Sequence, residues 1–399
     1  MRYLKEFSYN SKTFSVAIPE AGIVAFSHAL ASLQLLEKLA LNLTDSSNNE
    51  YIEQLCIGLG DLCFLKMTTS TAEALTKVLP SLELLEELKL RPFLGSCQLD
   101  SEHKKQVFAA ISKLKHLKEL HLSVSSLIGI DHEAFAKMLS SLRLLEKLNF
   151  KGTMWISQSE TKELFIAVGK LKYLKKLKLR DAIGIEISRN NVDALIRALL
   201  SLQTLENLKL KLECQNKIES RELFNAVGKL KHLKKLDLGC SIKITRKNVD
   251  VLVHALLTLR MVEKLRLAIV YGLNESQGNE LSIAIEKLKY LKELDLDWYR
   301  ITQTNVDALA KTLISLQVLQ KLKSSVTFCR HDCNAKCNHK CDDCRGNWYH
   351  YIKCDQECDD EYCRHISLLK TKVRNAVKTL KYFRIWKLMG DEIEIGIDT

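Results

Sequence analysis

Eight of the 13 cysteines crowd into one short stretch, at Cys329, Cys333, Cys337, Cys341, Cys344, Cys354, Cys358 and Cys363, with His331, His339, His350 and His365 among them. Thiolate and imidazole are the ligands that tetrahedral zinc prefers, and eight thiols suffice for two four-coordinate sites. The stretch has almost no apolar residues with which to build a core, so a structural zinc would supply its folding free energy. In a reducing compartment this thiol density favours metal; in an oxidising one it favours disulfides, and an even count suits both. Free thiols are the third reading. The spacing is C-x3-C-x3-C-x3-C-x2-C-x9-C-x3-C-x4-C, with a single C-x2-C pair at Cys341 and Cys344. RING domains and zinc ribbons use paired C-x2-C motifs, so no ubiquitin-ligase activity follows from this pattern. The remaining cysteines, Cys56, Cys63, Cys97, Cys214 and Cys240, are scattered and read as structural or incidental.

Nothing else in the chain has the spacing of a catalytic centre. There is no phosphate-binding P-loop, no nucleophile elbow and no H-E-x-x-H. Isolated histidines such as His103, His121 and His254 read as surface or satisfied helix residues. The expected activity is therefore binding rather than catalysis.

The elements that must position such binding groups are set by one frame, L-x-x-L-x-x-L-x-L. Its first leucine falls at Leu33, Leu59, Leu82, Leu114, Leu142, Leu171, Leu202, Leu230, Leu259, Leu288 and Leu316, and again at Leu380. A repeat of this length cannot bury its own apolar face and is stable only when stacked on its neighbours. In the L-x-L portion two leucines point inward and the residue between them outward, as a short strand requires: Leu208 and Leu210 in, Lys209 out. An amphipathic helix follows each strand. Three helix starts are nearly the same, Ser188-x-x-Asn191-Val192-Asp193, Thr245-x-x-Asn248-Val249-Asp250 and Thr302-x-x-Asn305-Val306-Asp307, with Ser or Thr expected as the N-cap. Between them come helices of a second kind, such as Glu163 to Lys170 and Glu222 to Lys229, so units of two types alternate. About thirteen strand-helix units are expected. The frame at Leu59 fits least well, since Cys63 and Phe64 stand where other units carry polar residues.

Alternating repeats of this length resemble the ribonuclease-inhibitor-like class of leucine-rich repeat proteins, and the resemblance covers almost the whole chain. It implies an α/β fold: a right-handed leucine-rich-repeat solenoid, or horseshoe, with a parallel sheet on the concave face and helices on the convex face. The expected organisation is a solenoid over 1–328, a Cys/His-rich insertion with zinc as its expected ligand over 329–365, and a final repeat over 366–399. Residues from Ile393 onward read as the approach to another helix. Relatives of this class act as inhibitors, sensor portions of immune receptors and scaffolds, and the sequence does not choose among them.

The outward strand residues give the expected partner-binding face. In three successive units they are Lys147, Asn149 and Lys151; Lys176, Lys178 and Arg180; Asn207, Lys209 and Lys211. Further along come Glu293, Asp295 and Asp297, followed by Trp298 and Tyr299. With a formal net charge of +12, the chain is suited to a protein partner with an acidic surface. Nucleic acid is the alternative, using the basic concave face and a zinc-binding insertion, although that face lacks the interleaved aromatics on which bases stack. No apolar run is long enough to span a membrane and Met1 to Asn10 does not resemble a secretory signal, so a cytoplasmic location is expected.

Overall fold

The frame folds as its leucine spacing demands. In a computed structural model, the described residues are 4–10, 33, 35–42, 69–91, 101–124, 132–152, 158–182, 189–212, 217–238, 244–269, 273–299, 303–327, 371, 375, 385–388 and 391–393. They fall into two units, 1–242 and 243–399.

The first unit holds eight strands: β1 (Glu6–Asn10), β2 (Lys38–Asn42), β3 (Glu87–Arg91), β4 (Glu119–Val124), β5 (Lys147–Gly152), β6 (Lys176–Ala182), β7 (Asn207–Leu212) and β8 (Lys235–Asp237). Each pairs parallel with the next, so the sheet is built in sequence order. Its helices are α1 (Thr69–Val78), α2 (Ser101–Ile111), α3 (His132–Ser141), α4 (Gln158–Gly169), α5 (Arg189–Ser201) and α6 (Lys217–Gly228). The second unit has strands β9 (Lys264–Ile269), β10 (Glu293–Tyr299), β11 (Lys321–Thr327), β12 (Ile385–Leu388) and β13 (Asp391–Ile393), with helices α7 (Val249–Thr258), α8 (Glu275–Glu286) and α9 (Gln303–Ser315). There β9 to β12 run parallel, and β13 returns antiparallel on β12.

All four frame leucines are buried in one repeat after another, for example Leu202, Leu205, Leu208 and Leu210. The first two form a tight turn, with the Leu205 amide donating to the Leu202 carbonyl at 3.1 Å. The last two face the helices from the strand. Phe165 and Phe224, on the second kind of helix, are fully buried beneath them. Phe108, Phe135 and Phe150 form a tilted aromatic row across α2, α3 and β5, with centroids 5.1 and 5.6 Å apart. Burial of apolar side chains at every repeat is what stabilises each unit, at about 25 cal/mol per Å² removed from water.

Two expectations are corrected. First, β2 pairs directly with β3, Lys38 opposite Glu87, where a strand from the frame at Leu59 was expected between them; that frame itself lies outside the described residues. The described residues contain twelve parallel strands, eight in the first unit and four in the second. Ile393 closes the antiparallel strand β13; the residues after it, expected to approach another helix, lie outside the described residues.

The second correction concerns a helix start. Ser188 immediately precedes α5 and Thr302 immediately precedes α9, but α7 begins only at Val249. There Asn248 holds the N-cap position, but its side chain caps no helix amide; its Oδ1 instead accepts from the Thr245 amide before the helix at 2.7 Å, and Thr245 closes that turn by accepting at Oγ1 from the Lys247 amide at 3.3 Å. Asn191, Asn248 and Asn305, which share this position, are all buried. Asn305 donates from Nδ2 to the carbonyl of Leu273 in the repeat before it, at 3.3 Å. A Cβ on Gly278 would lie 1.9 Å from Asn305 Oδ1, so the glycine is what lets the asparagine enter.

The structure pairs β11 directly with β12, Lys321 opposite Ile385. All eight candidate zinc ligands, and His331, His339, His350 and His365, lie between these strands and outside the described residues. The scattered cysteines, Cys56, Cys63, Cys97, Cys214 and Cys240, are also outside the described residues. Among the described residues, no helix is long and apolar enough to cross a membrane.

Candidate recognition face

Strand alternation leaves one face of each sheet carrying polar side chains, because the leucines take the other. The three strands β5 to β7 expose Lys147, Lys151, Lys176, Lys178 and Lys209 there, and their cross-strand registers are regular: Lys147 opposite Lys176, Asn149 opposite Lys178, Lys178 opposite Lys209. Arg180 stands opposite Lys151 in register. Lys211 follows Lys209 at a point where the β6–β7 register shifts. The side chains of Arg180 and Lys211 lie outside the described part.

Neighbouring strands supply acids to both flanks of this basic run. Lys147 forms an ion pair with Glu119 of β4, and Lys209 one with Asp237 of β8. The stripe is thus met by acids at both of its edges. In the second unit the acidic residues are also met by a cation: Arg266 of β9 reaches Asp295 at 3.4 Å and Asp297 at 3.3 Å. Glu293 pairs with Lys264. Trp298 continues the register of Leu294 and Leu296, whereas Tyr299 continues that of Asp295 and Asp297. The aromatic pair therefore does not share one register position. Their side chains are outside the described part.

Sequence reasoning missed a second group on the first unit's sheet. Its members are Glu87 and Lys89 on β3, Glu119 and His121 on β4, and Lys147 and Asn149 on β5. His121 is not a helix residue; it is a strand residue only 8% exposed. Its Nδ1 is 3.2 Å from Asn149 Nδ2, and its Nε2 is 3.7 Å from Glu119 Oε2. Lys89 pairs with Glu87. Burial acts to raise the Glu119 carboxyl, but the hydrogen bond from Lys147 and the charges of Lys147, His121 and Lys89 outweigh it and hold the group below its ordinary value. The signal was present in the frame, since Glu87 and Glu119 are first outward residues of adjacent strands and His121 is a second one.

A further row of charges lines the turn that feeds each strand. Lys5 meets Glu37 at 2.8 Å, Lys175 meets Glu146 at 3.0 Å, Lys234 meets Glu206 at 3.1 Å and Lys292 meets Glu263 at 3.2 Å. Lys118 pairs with Glu86 in the same way. One unit type contributes the acid and the other the base. Many of the lysines that give the chain its charge are therefore answered within the array. The hydrogen bond to Glu37 raises Lys5, that to Glu86 raises Lys118, and that from Lys5 lowers Glu37 against a smaller opposing effect of burial.

No protein-family model matches the chain, and no curated protein matches it significantly. Solved structures do. TLR13, seen in complex with ssRNA13, is 17% identical with a TM-score of 0.39; the match covers 83% of this chain and 37% of that one. A Bacteroides fragilis protein is 18% identical at a TM-score of 0.40, over 72% of this chain and 73% of that one. The leucine-rich repeat-containing protein LegL7 of Legionella pneumophila is 17% identical at 0.40, over 80% and 90%. None of these bears on what this chain binds. One parallel strand per repeat, leucines buried on its inner side and a helix closing the unit are decisive in the chain's own geometry. This chain has the leucine-rich-repeat fold. In leucine-rich-repeat terms the residues just described occupy the face of the sheet opposite the helices.

Proposed function

We propose that this leucine-rich-repeat chain is a non-catalytic recognition module that binds an acidic protein surface on the open face of β5 to β7. The observation that supports it is the run of outward positions on those three strands, in which every charged position is basic, with acids of β4 and β8 meeting the run at Lys147 and Lys209. Five described lysines held on adjacent strands form a preorganised field, which steers an acidic partner and rejects basic ones. The absence of aromatic residues at these positions disfavours nucleic acid, because single strands bind by stacking as well as by charge.

The test uses substitutions at the centre of the stripe and spares Lys147 and Lys209, which hold Glu119 and Asp237. A photocrosslinker at Asn207 should capture a protein that is acidic at the crosslinked segment. Lys151, Lys176 and Lys178 changed together to Glu should abolish that capture while circular dichroism stays the same. Capture that survives the triple change overturns the reading. Capture of nucleic acid instead, with affinity falling steeply as salt rises, replaces it with the nucleic-acid one.

The proposal extends to the insertion. Its eight thiols would hold zinc and give that segment a folded form at one edge of the array, where insertions between repeats add binding surface.

A further inference from the structure

We propose that Glu87, Glu119 and His121 form a zinc-binding site on the sheet face of the first unit, separate from the cysteine-rich insertion. One ligand-capable atom from each lies within 4.8 Å of the other two. The set is two carboxylates and one imidazole, a nitrogen and oxygen donor set that zinc takes at about 2.0–2.2 Å. Tetrahedral ligands at those lengths stand roughly 3.3–3.5 Å apart. Glu119 Oε2 and His121 Nε2 are 3.7 Å apart, too long for a hydrogen bond and close to that edge.

Three features favour an ion over a mere surface cluster. His121 is nearly buried although it stands on the polar face. It sits beside Asn149, whose amide approaches Nδ1 at 3.2 Å. Amide oxygen and nitrogen are assigned from the hydrogen-bond network, and with the two exchanged the Asn149 oxygen accepts from Nδ1–H. That fixes the tautomer whose Nε2 lone pair faces Glu119, which is how metal-bound histidines are oriented. Asn149 is then a positioning residue. Finally, the ligands stand on paired strands in register, Glu87 opposite Glu119 and Lys89 opposite His121, so little ordering is needed on binding.

The lysines oppose the ion without excluding it. Lys89 and Lys147 each engage the Oε1 atom of one carboxylate, leaving each glutamate its second oxygen. Zinc must therefore compete with two ammonium groups, and removing one should tighten binding. Three protein ligands leave a fourth position open to water or to a carboxylate of a bound partner.

Three measurements on the full chain test this. In equilibrium dialysis against zinc, the unaltered chain should hold one ion more than His121→Gln and one more than Glu87→Gln, with the thiols intact in all three. Equal zinc content in the unaltered chain and His121→Gln, at unchanged circular dichroism, overturns the site, as does binding seen only at millimolar zinc. Lys89→Met should raise affinity about tenfold, the effect of relieving one competing charge at a partly exposed site; unchanged or weaker binding overturns the charge argument. The third needs no variant. Zinc should shift the His121 ring signals in the nuclear magnetic resonance spectrum of the unaltered chain, and unmoved signals at saturating zinc overturn the proposal.

Discussion

At Gly278 a missing side chain decides how two repeats meet. A Cβ there would be 1.9 Å from Asn305 Oδ1, and Asn305 in turn satisfies the Leu273 carbonyl. Gly278→Ala should destabilise the chain by about 1–3 kcal/mol, the usual cost of overpacking. In an Asn305→Ala background that cost should largely vanish, which a thermal-denaturation double-mutant cycle would show. Glu37 offers a pH test. The Lys5 hydrogen bond holds its folded value below the ordinary one, so its contribution to stability is present above the unfolded value and lost as pH falls through the folded one. Glu37→Gln should therefore lower the melting temperature near neutrality and make progressively less difference in acid. The sequence showed Asn191, Asn248 and Asn305 as a recurring signature, but a hydrogen bond to a carbonyl 32 residues earlier has no local trace.

Elements of two types alternate, and the charges at the strand entry alternate with them. Glu206 lies in one type and its partner Lys234 in the next. A partly exposed pair contributes roughly 0.2–1 kcal/mol, so each link is weak and the row works by consistency. Glu206→Lys should destabilise by about 1 kcal/mol, less at high salt, and Lys234→Glu added to it should restore much of the loss. Chemical denaturation at low and high salt reads both effects. The alternation of helix types was legible in the sequence, because Asn-Val-Asp and Glu-Leu-Phe recur at fixed intervals. The pairing of their charges required knowing which strands are adjacent. Between β2 and β3 the rule breaks, since two units of the acidic type meet, with the Glu86 amide donating to the Glu37 carbonyl at 2.8 Å. The frame at Leu59, expected to supply a base-type strand there, lies outside the described residues.

Across the molecule, stacking makes stability a matter of neighbours. Leu208→Ala opens a cavity at a fully buried position and should cost about 2–5 kcal/mol. Hydrogen exchange should quicken most in β6, β7 and β8 and least in strands far along the array, as repeat proteins with nearest-neighbour coupling require. Metal content is the other whole-chain prediction: chelator-free protein should carry about two zinc ions in the insertion, by the count of eight thiolates, and a third on the sheet face. Chelation should remove all of them. What the sequence by itself determined is the strand-helix unit, its leucine core and the basic run on β5 to β7, because apolar spacing and strand alternation act within a few residues. Only the tertiary structure decided that β2 adjoins β3, that Lys147 and Lys209 answer acids on flanking strands, and that Glu87, Glu119 and His121 converge. Those outcomes depend on register between parallel strands 28 to 49 residues apart in the chain, which no local pattern encodes.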